Sequence, residues 1–166
     1  MKYFFQENRY DCGAACVATI LSYFDMKEEL STITQECRTS TKGTTLYDMK
    51  QVLSQHGVKF EGYECSKNDF NNLKPPLIAQ IISFENANHF VILKSITRDR
   101  IEIFCPVEGF RVLNKHDFLE EYDIKNVITV NDLENRITIN DIVNDNPKEY
   151  LAEIIRIIVK YQRNLK

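Results

Sequence analysis

Residues 11–24 have the sequence Asp-Cys-Gly-Ala-Ala-Cys-Val-Ala-Thr-Ile-Leu-Ser-Tyr-Phe. From Gly13 to Phe24, apolar side chains fall on nearly every side of a helical projection, which is typical of a helix that is buried all round. The polar residues before this run, Asp11 and Cys12, are expected at the N-terminus of the helix. The sequence therefore predicts a buried first helix with a cysteine at its mouth.

A second helix is predicted after Gly43, because Thr44 or Thr45 can cap its N-terminus and Gly57 can stop it. Its apolar face consists of Leu46, Met49 and Leu53. Further along the chain, apolar runs predict β-strands. These strands are Leu77–Ile82, His89–Ile96, Ile101–Phe104 and Val127–Val130, with a hairpin turn at Thr97–Arg100. Helices followed by an antiparallel sheet predict an α+β fold.

The composition is that of a single globular domain. The chain has 166 residues, of which 43% are hydrophobic and 27% charged, and its formal net charge is −3. That charge argues against a generic basic nucleic-acid-binding protein. No run of eighteen apolar residues could cross a bilayer, and the N-terminus lacks the pattern of a signal peptide. We therefore expect the domain in reducing cytosol.

The composition changes near residue 130. Residues 1–130 are predicted to form the folded domain. Residues 131–149 carry five acids and two bases and are predicted to be a solvated acidic connector. Residues 150–166 carry four bases, one acid and isoleucines at helical spacing, which predicts a basic amphipathic helix. Such a helix can lie on a membrane surface or dock on a partner, or it can pack on its own domain.

Five cysteines are present and none forms a Cys-x-x-Cys pair, so neither a disulfide framework nor a zinc site is expected. No cofactor is indicated. His56 and His116 are predicted to be surface residues. Cys12 is the candidate nucleophile, because a helix N-terminus favours the thiolate. Cys16, one turn into the helix, is predicted to belong to the core.

A thiol nucleophile also needs a base and a group that stabilises the oxyanion. His89 opens an apolar strand and can project toward the start of the helix. Gln6 can point a side-chain N–H at the oxyanion, with the backbone N–H of Cys12 as a second donor. Gly13 would let a substrate backbone approach closely. Taken singly, a histidine or a glutamine of this kind is more often structural or solvated.

The combined pattern resembles the papain-like peptidase domain of bacterial peptidase-containing ABC transporters, over residues 1–130. The matching segments are Gln6-x5-Cys12-Gly13-Ala14-Ala15-Cys16, Gly43-Thr44-Thr45-Leu46, His89-Phe90-Val91 and Pro106-x-x-Gly109. The resemblance implies a papain-like fold with N-terminal helices packed on an antiparallel sheet. It also implies that Cys12 is the nucleophile, His89 the general base and acid, and Gln6 the oxyanion donor.

One position departs from the family pattern. The family's third catalytic residue is an Asp directly before a proline, and here that position is Cys105. A thiol orients an imidazole poorly, so the resemblance implies a weakened peptidase. A thiolate–imidazolium pair that is already formed depends less on the missing carboxylate. Glu108, Asp99 or Asn88 could replace it, and the sequence does not choose among them.

The resemblance implies a cysteine endopeptidase that removes leader peptides after a Gly-Gly or Gly-Ala motif from exported bacteriocin-like or signalling peptides. Its partners would be the leader peptide and the membrane and ATPase parts of a transporter, at the cytoplasmic face of the bacterial membrane. No nucleic acid is implied. The chain would be the N-terminal piece of a transporter or a stand-alone peptidase. The alternatives are a silent leader-binding module and a papain-like hydrolase of cell-wall peptides or isopeptides.

Overall fold

The computed structural model describes residues 1–83 and 88–133. Four α-helices and six β-strands are found there. They are α1 (Cys12–Tyr23), α2 (Leu30–Glu36), α3 (Leu46–Gln55), β1 (Val58–Glu64), β2 (Leu77–Ser83), β3 (Asn88–Ile96), β4 (Arg100–Cys105), β5 (Gly109–Asn114), α4 (Lys115–Glu121) and β6 (Tyr122–Leu133), with a 3₁₀ helix over Asp69–Asn72. The α+β prediction is confirmed.

The six strands form one antiparallel sheet in the order β1-β6-β2-β3-β4-β5. The hairpin predicted in mid-chain is β3–β4, and its turn is closed by Thr97, whose backbone N–H donates to the carbonyl of Arg100 at 2.9 Å. The strand predicted over Val127–Val130 is the middle of the longer β6. Its last residues extend into the segment predicted as the connector. The rest of that segment, 134–149, and the predicted helix 150–166 lie outside the described residues.

Two apolar cores lie on opposite faces of the sheet, because successive residues of a strand point to opposite sides. On one face, Phe90 and Ile92 of β3 pack with α1 and α3. On the other face, Val91 and Leu93 pack with Phe70 and Phe118. The all-round burial predicted for the first helix is confirmed, since every residue from Gly13 to Ser22 is buried.

The second helix begins where the sequence predicted. Thr45 is its N-cap and accepts a hydrogen bond from the backbone N–H of Asp48 at 3.1 Å, and Gly57 follows its end with a φ of +71°. The elements α2, β1, β5 and α4 were not predicted from the sequence. These elements have only six or seven residues each. In so short a segment the hydrophobic pattern is weak evidence for a helix or a strand, because the neighbouring elements that bury its apolar residues are not known from the sequence.

Candidate active site

Cys12 is the first residue of α1, and its side chain is partly exposed. The N–H groups of a helix's first turn have no carbonyl to bond within the helix, so they face outward and favour negative charge. The sulfur is close to two backbone N–H groups, those of Gly13 and of Phe90, and both lower the pKa of the thiol. Phe90 directly follows His89 in β3, so the mouth of α1 lies against the start of this strand.

His89 is partly buried, and its Nε2 atom lies 3.3 Å from the sulfur of Cys105. Cys105 ends β4, and 6% of its surface is exposed. Its charge, when ionised, raises the pKa of Cys12, so the two sulfurs are within electrostatic range of each other. The fold thus brings Cys12, His89 and Cys105 into one region from three separate elements.

Electrostatics at the site differ from the simple expectation of a preformed thiolate. The pKa of the Cys12 thiol is raised, chiefly by burial and further by the charges of Asp11 and Cys105, against the lowering by the Phe90 and Gly13 N–H groups. Burial also lowers the pKa of His89, and the charge of Glu108 opposes that effect. In the unliganded protein, both groups are therefore favoured in their neutral forms near pH 7. The helix N-terminus alone does not produce a thiolate here.

Gln6 reaches the site through the N-terminal segment, which runs along α1. The backbone N–H of Phe4 donates to the hydroxyl of Thr19 at 3.1 Å, and that of Gln6 donates to the carbonyl of Pro106 at 3.0 Å. The Gln6 side chain donates from Nε2 to the carbonyl of Asn8 at 2.9 Å. Its second N–H is thus left for another acceptor. Gln6 is held between the mouth of α1 and the β4–β5 turn.

The structure distinguishes the three residues that could replace the missing carboxylate by the contacts that each of them makes. The side chain of Asn88 is engaged with Gln80, whose Nε2 donates to it at 3.0 Å. Asp99 lies in the β3–β4 turn, where its carbonyl accepts from the backbone N–H of Lys115. Glu108 is the candidate whose charge raises the pKa of His89. Its carboxylate also pairs with Arg111 at 3.0 Å.

A cavity of about 230 Å³ lies beside His89. Its polar lining comes from His89, Cys105, Glu108, Arg111 and Tyr122. Its apolar lining comes from Ile81, Val91, Ile103 and Val107. The imidazole therefore borders a mixed polar and apolar space on the side of Cys105.

Two predictions about single residues differ from what the structure shows. Gly13 does not leave room for a substrate, because a Cβ there would lie 2.8 Å from the Cβ of Thr44 and 3.2 Å from the sulfur of Met49. The glycine instead lets α1 pack against α3. The prediction for His56 is confirmed in part, since its side chain is at the surface but only 18% exposed, and its Nε2 lies 2.9 Å from a carboxylate oxygen of Glu36. Both contacts join elements distant in sequence, which the local pattern does not reveal.

The predictions that Cys16 belongs to the core and that His116 lies at the surface were confirmed. Cys16 is fully buried, and burial raises the pKa of its thiol well above the usual value. His116 is an exposed residue of α4.

Within the described ranges, no three His, Cys, Asp or Glu side chains are arranged to hold a metal ion. In the same ranges, no helix is long and apolar enough to cross a membrane.

Known proteins are similar to this chain in sequence. "Probable functional amyloid protease FapD" of Pseudomonas fluorescens is 29% identical over 122 residues, which are 69% of this chain and 54% of that protein. "Lactococcin-G-processing and transport ATP-binding protein LagD" of Lactococcus lactis subsp. lactis is 26% identical over 110 residues, 65% of this chain and 16% of that protein. The chain thus spans about half of the first relative and about a sixth of the second.

Solved structures share the fold. The crystal structure of a double glycine motif protease from an AMS/PCAT transporter, in complex with the leader peptide, superposes with a TM-score of 0.71 at 21% identity. That match covers 79% of this chain and 91% of the other. The peptidase domain of Streptococcus ComA gives a TM-score of 0.68 at 18% identity, over 78% and 98% of the two chains. A model of the Peptidase C39 family matches residues 1–135, and the chain therefore belongs to that family.

Proposed function

We propose that the protein is a cysteine endopeptidase that cuts leader peptides after a Gly-Gly or Gly-Ala motif. The observation that carries this proposal is the convergence of Cys12, His89 and Gln6 on one region of a Peptidase C39 domain. The proposal also draws on relatives named as bacteriocin processing and transport proteins, and on a structural neighbour that holds a leader peptide.

In the proposed reaction, Cys12 attacks the carbonyl carbon of the second small residue of the leader. His89 takes the thiol proton as the S–C bond forms, because both groups start in their neutral forms. The second N–H of Gln6 and the backbone N–H of Cys12 donate to the oxyanion. The imidazolium then protonates the departing amine, and water releases the leader from the thioester.

Exposed apolar residues near the site offer a surface for the leader. Phe5 is 54% exposed and Phe110 is 57% exposed, and both rings contact Phe104. Val107 is also exposed and lies next to Pro106, which holds Gln6. An amphipathic helix can dock on such a surface through apolar residues at helical spacing. The proposed partners are thus a leader peptide and the membrane and ATPase parts of a transporter, at the cytoplasmic face of the membrane.

The second candidate is a leader-binding module with little or no catalysis. The observation that favours it is Cys105, a cysteine beside His89 at the position where the resemblance implies a carboxylate. The retention of Cys12, His89 and Gln6 favours the peptidase instead. The two candidates differ in turnover and share the ability to bind a leader.

The test is to incubate the chain with synthetic peptides that contain a leader and a Gly-Gly site, followed by mass spectrometry. Wild type is expected to cut after the second glycine. Cys12→Ala is expected to bind the peptide without cutting it, and the matched variant Cys16→Ala is expected to retain cleavage. Binding without cleavage by wild type would establish the module, and absence of both would refute the proposal.

A further inference from the structure

Asp11 is a buried carboxylate that lies next to the candidate nucleophile, with 1% of its surface exposed. In the part of the chain that the structure describes, none of the ion pairs includes it. A buried charge without a counter-ion is costly unless it is hydrogen-bonded. Its charge also raises the pKa of Cys12, which does not help a nucleophile. Its position thus calls for a different explanation.

Three N–H groups of the preceding loop hold this carboxylate. The backbone N–H of Glu7 donates to Oδ2 at 3.2 Å, and that of Asn8 donates to Oδ1 at 3.2 Å. The side chain of Asn8 donates from Nδ2 to Oδ2 at 3.0 Å. Although Asp11 is the N-cap residue of α1, its side chain makes no capping hydrogen bond to the helix. The carboxylate orders the loop rather than the helix.

The loop in turn fixes the amide of Gln6. The carbonyl of Asn8 accepts from Nε2 of Gln6 at 2.9 Å. The Oε1 atom of Gln6 is buried, and it is the one such side-chain atom in residues 1–83 and 88–133 without a hydrogen-bond partner. The bond to Asn8 therefore sets the plane of this amide. It also sets the direction of the second N–H.

We propose that Asp11 is a positioning residue, which holds the Glu7–Asn8 turn so that Gln6 aims its second N–H at the substrate oxyanion. The proposal rests on the peptidase function proposed above. It predicts that loss of the Asp11 charge loosens the Gln6 amide while the Cys12 thiol stays as reactive as before or becomes more so. A merely structural residue would impair both.

The test compares Asp11→Asn with the exchange variant Asn8→Asp/Asp11→Asn. In Asp11→Asn, an NH₂ group replaces one of the two carboxylate oxygens of Asp11 that accept hydrogen bonds from Glu7 and Asn8. In the exchange variant, the amide introduced at position 11 can donate to the carboxylate introduced at position 8 and accept from the backbone N–H there, so part of the network returns. Thr19→Val is the matched control, since Thr19 is fully buried on α1 and anchors the same segment through Phe4.

The probe is a peptide aldehyde that ends in Gly-Gly. The Cys12 sulfur adds to the aldehyde carbon, the thiol proton passes to the former carbonyl oxygen, and the resulting oxygen lies where the oxyanion forms. Its affinity is measured for every variant, together with kcat and KM for a leader peptide. The alkylation rate of Cys12 by iodoacetamide, resolved by peptide mass spectrometry, reports the thiol separately.

Asp11→Asn is expected to weaken aldehyde binding and lower kcat by about ten-fold or more, with KM and the alkylation rate little reduced. The exchange variant should recover part of the loss, and Thr19→Val, which removes an anchor of the segment but leaves the Asp11 hydrogen bonds in place, should lower kcat by less than Asp11→Asn does. Unchanged aldehyde affinity in Asp11→Asn, or a parallel fall in alkylation, would overturn the inference. If wild type binds the aldehyde but cuts no leader, the proposed function fails while the affinities still test Asp11. If wild type neither binds the aldehyde nor cuts the leader, the proposed function and the role of Asp11 are both overturned, whereas a wild type that cuts the leader without binding the aldehyde overturns the role of Asp11 alone.

Discussion

The Nε2 atom of His89 lies 3.3 Å from the sulfur of Cys105, a residue that is nearly buried at the end of β4. An imidazole that becomes charged during a reaction is stabilised by an anion at this position, and a neutral thiol supplies little of that stabilisation. Cys105 thus contacts the imidazole at the position where we propose that an orienting group acts.

Cys105→Asp is expected to raise kcat for leader cleavage by about ten-fold or more, because a carboxylate pairs with the imidazolium formed when Cys12 attacks. Steady-state kinetics measure the change. Cys105→Ser is the control, since it has a similar size and no charge, and it should leave kcat near wild type. Equal or lower turnover in Cys105→Asp would show that another residue orients His89.

Glu108→Gln is expected to shift the acid limb of the pH profile of kcat/KM to lower pH. The charge of Glu108 raises the pKa of His89, so its removal lowers that pKa, and the free base persists to more acidic solution. Arg111→Gln should shift the same limb to higher pH, because it removes the cation 3.0 Å from the Glu108 carboxylate. Identical profiles for wild type and both variants would exclude an electrostatic role for Glu108.

Gly13→Ala is expected to destabilise the domain by about 1–3 kcal/mol, because the new methyl group would overlap Thr44 and Met49. Unfolding in urea measures the loss. Removal of the Thr44 side chain in Gly13→Ala/Thr44→Gly should make the combined loss smaller than the sum of the single losses. Strict additivity would contradict steric conflict between α1 and Thr44.

Alkaline solution is expected to destabilise the fold through Cys37. Burial, with smaller contributions from the charges of Asp48 and Glu36, raises the pKa of this thiol to about 12. In the unfolded chain a cysteine has a pKa of about 8.5. Because the folded-state pKa is the higher one, this contribution to stability is complete below about pH 8.5 and declines by about 1.4 kcal/mol per pH unit above it.

The measurement for Cys37 is the free energy of unfolding in urea between neutral and alkaline pH. Cys37→Ala should show a shallower decline than wild type, whatever its stability at neutral pH. Val52→Ala removes packing from the same buried cluster without removing a titratable group, so its slope should equal that of wild type. Equal slopes in all three proteins would refute the effect.

Local sequence patterns predicted much of the fold. The apolar run after Cys12 and the Thr45 cap with Gly57 predicted two helices, and the apolar run from His89 predicted the strand of the candidate base. These features depend on residues a few positions apart, so they can be recognised without a partner. Elements such as β1 and β5 were missed, because their short amphipathic patterns do not identify a strand until the neighbouring strand that each pairs with is known.

By itself, the sequence determined the chemistry available to this protein: a thiol at the mouth of a buried helix, an imidazole at the start of a strand, and an amide upstream of both. The tertiary structure decided how these groups behave. Desolvation raises the pKa of Cys12 and lowers that of His89, and the loop at Asp11 holds Gln6. Burial and hydrogen bonding arise from chain segments far apart in sequence, and only the packed fold brings those segments together.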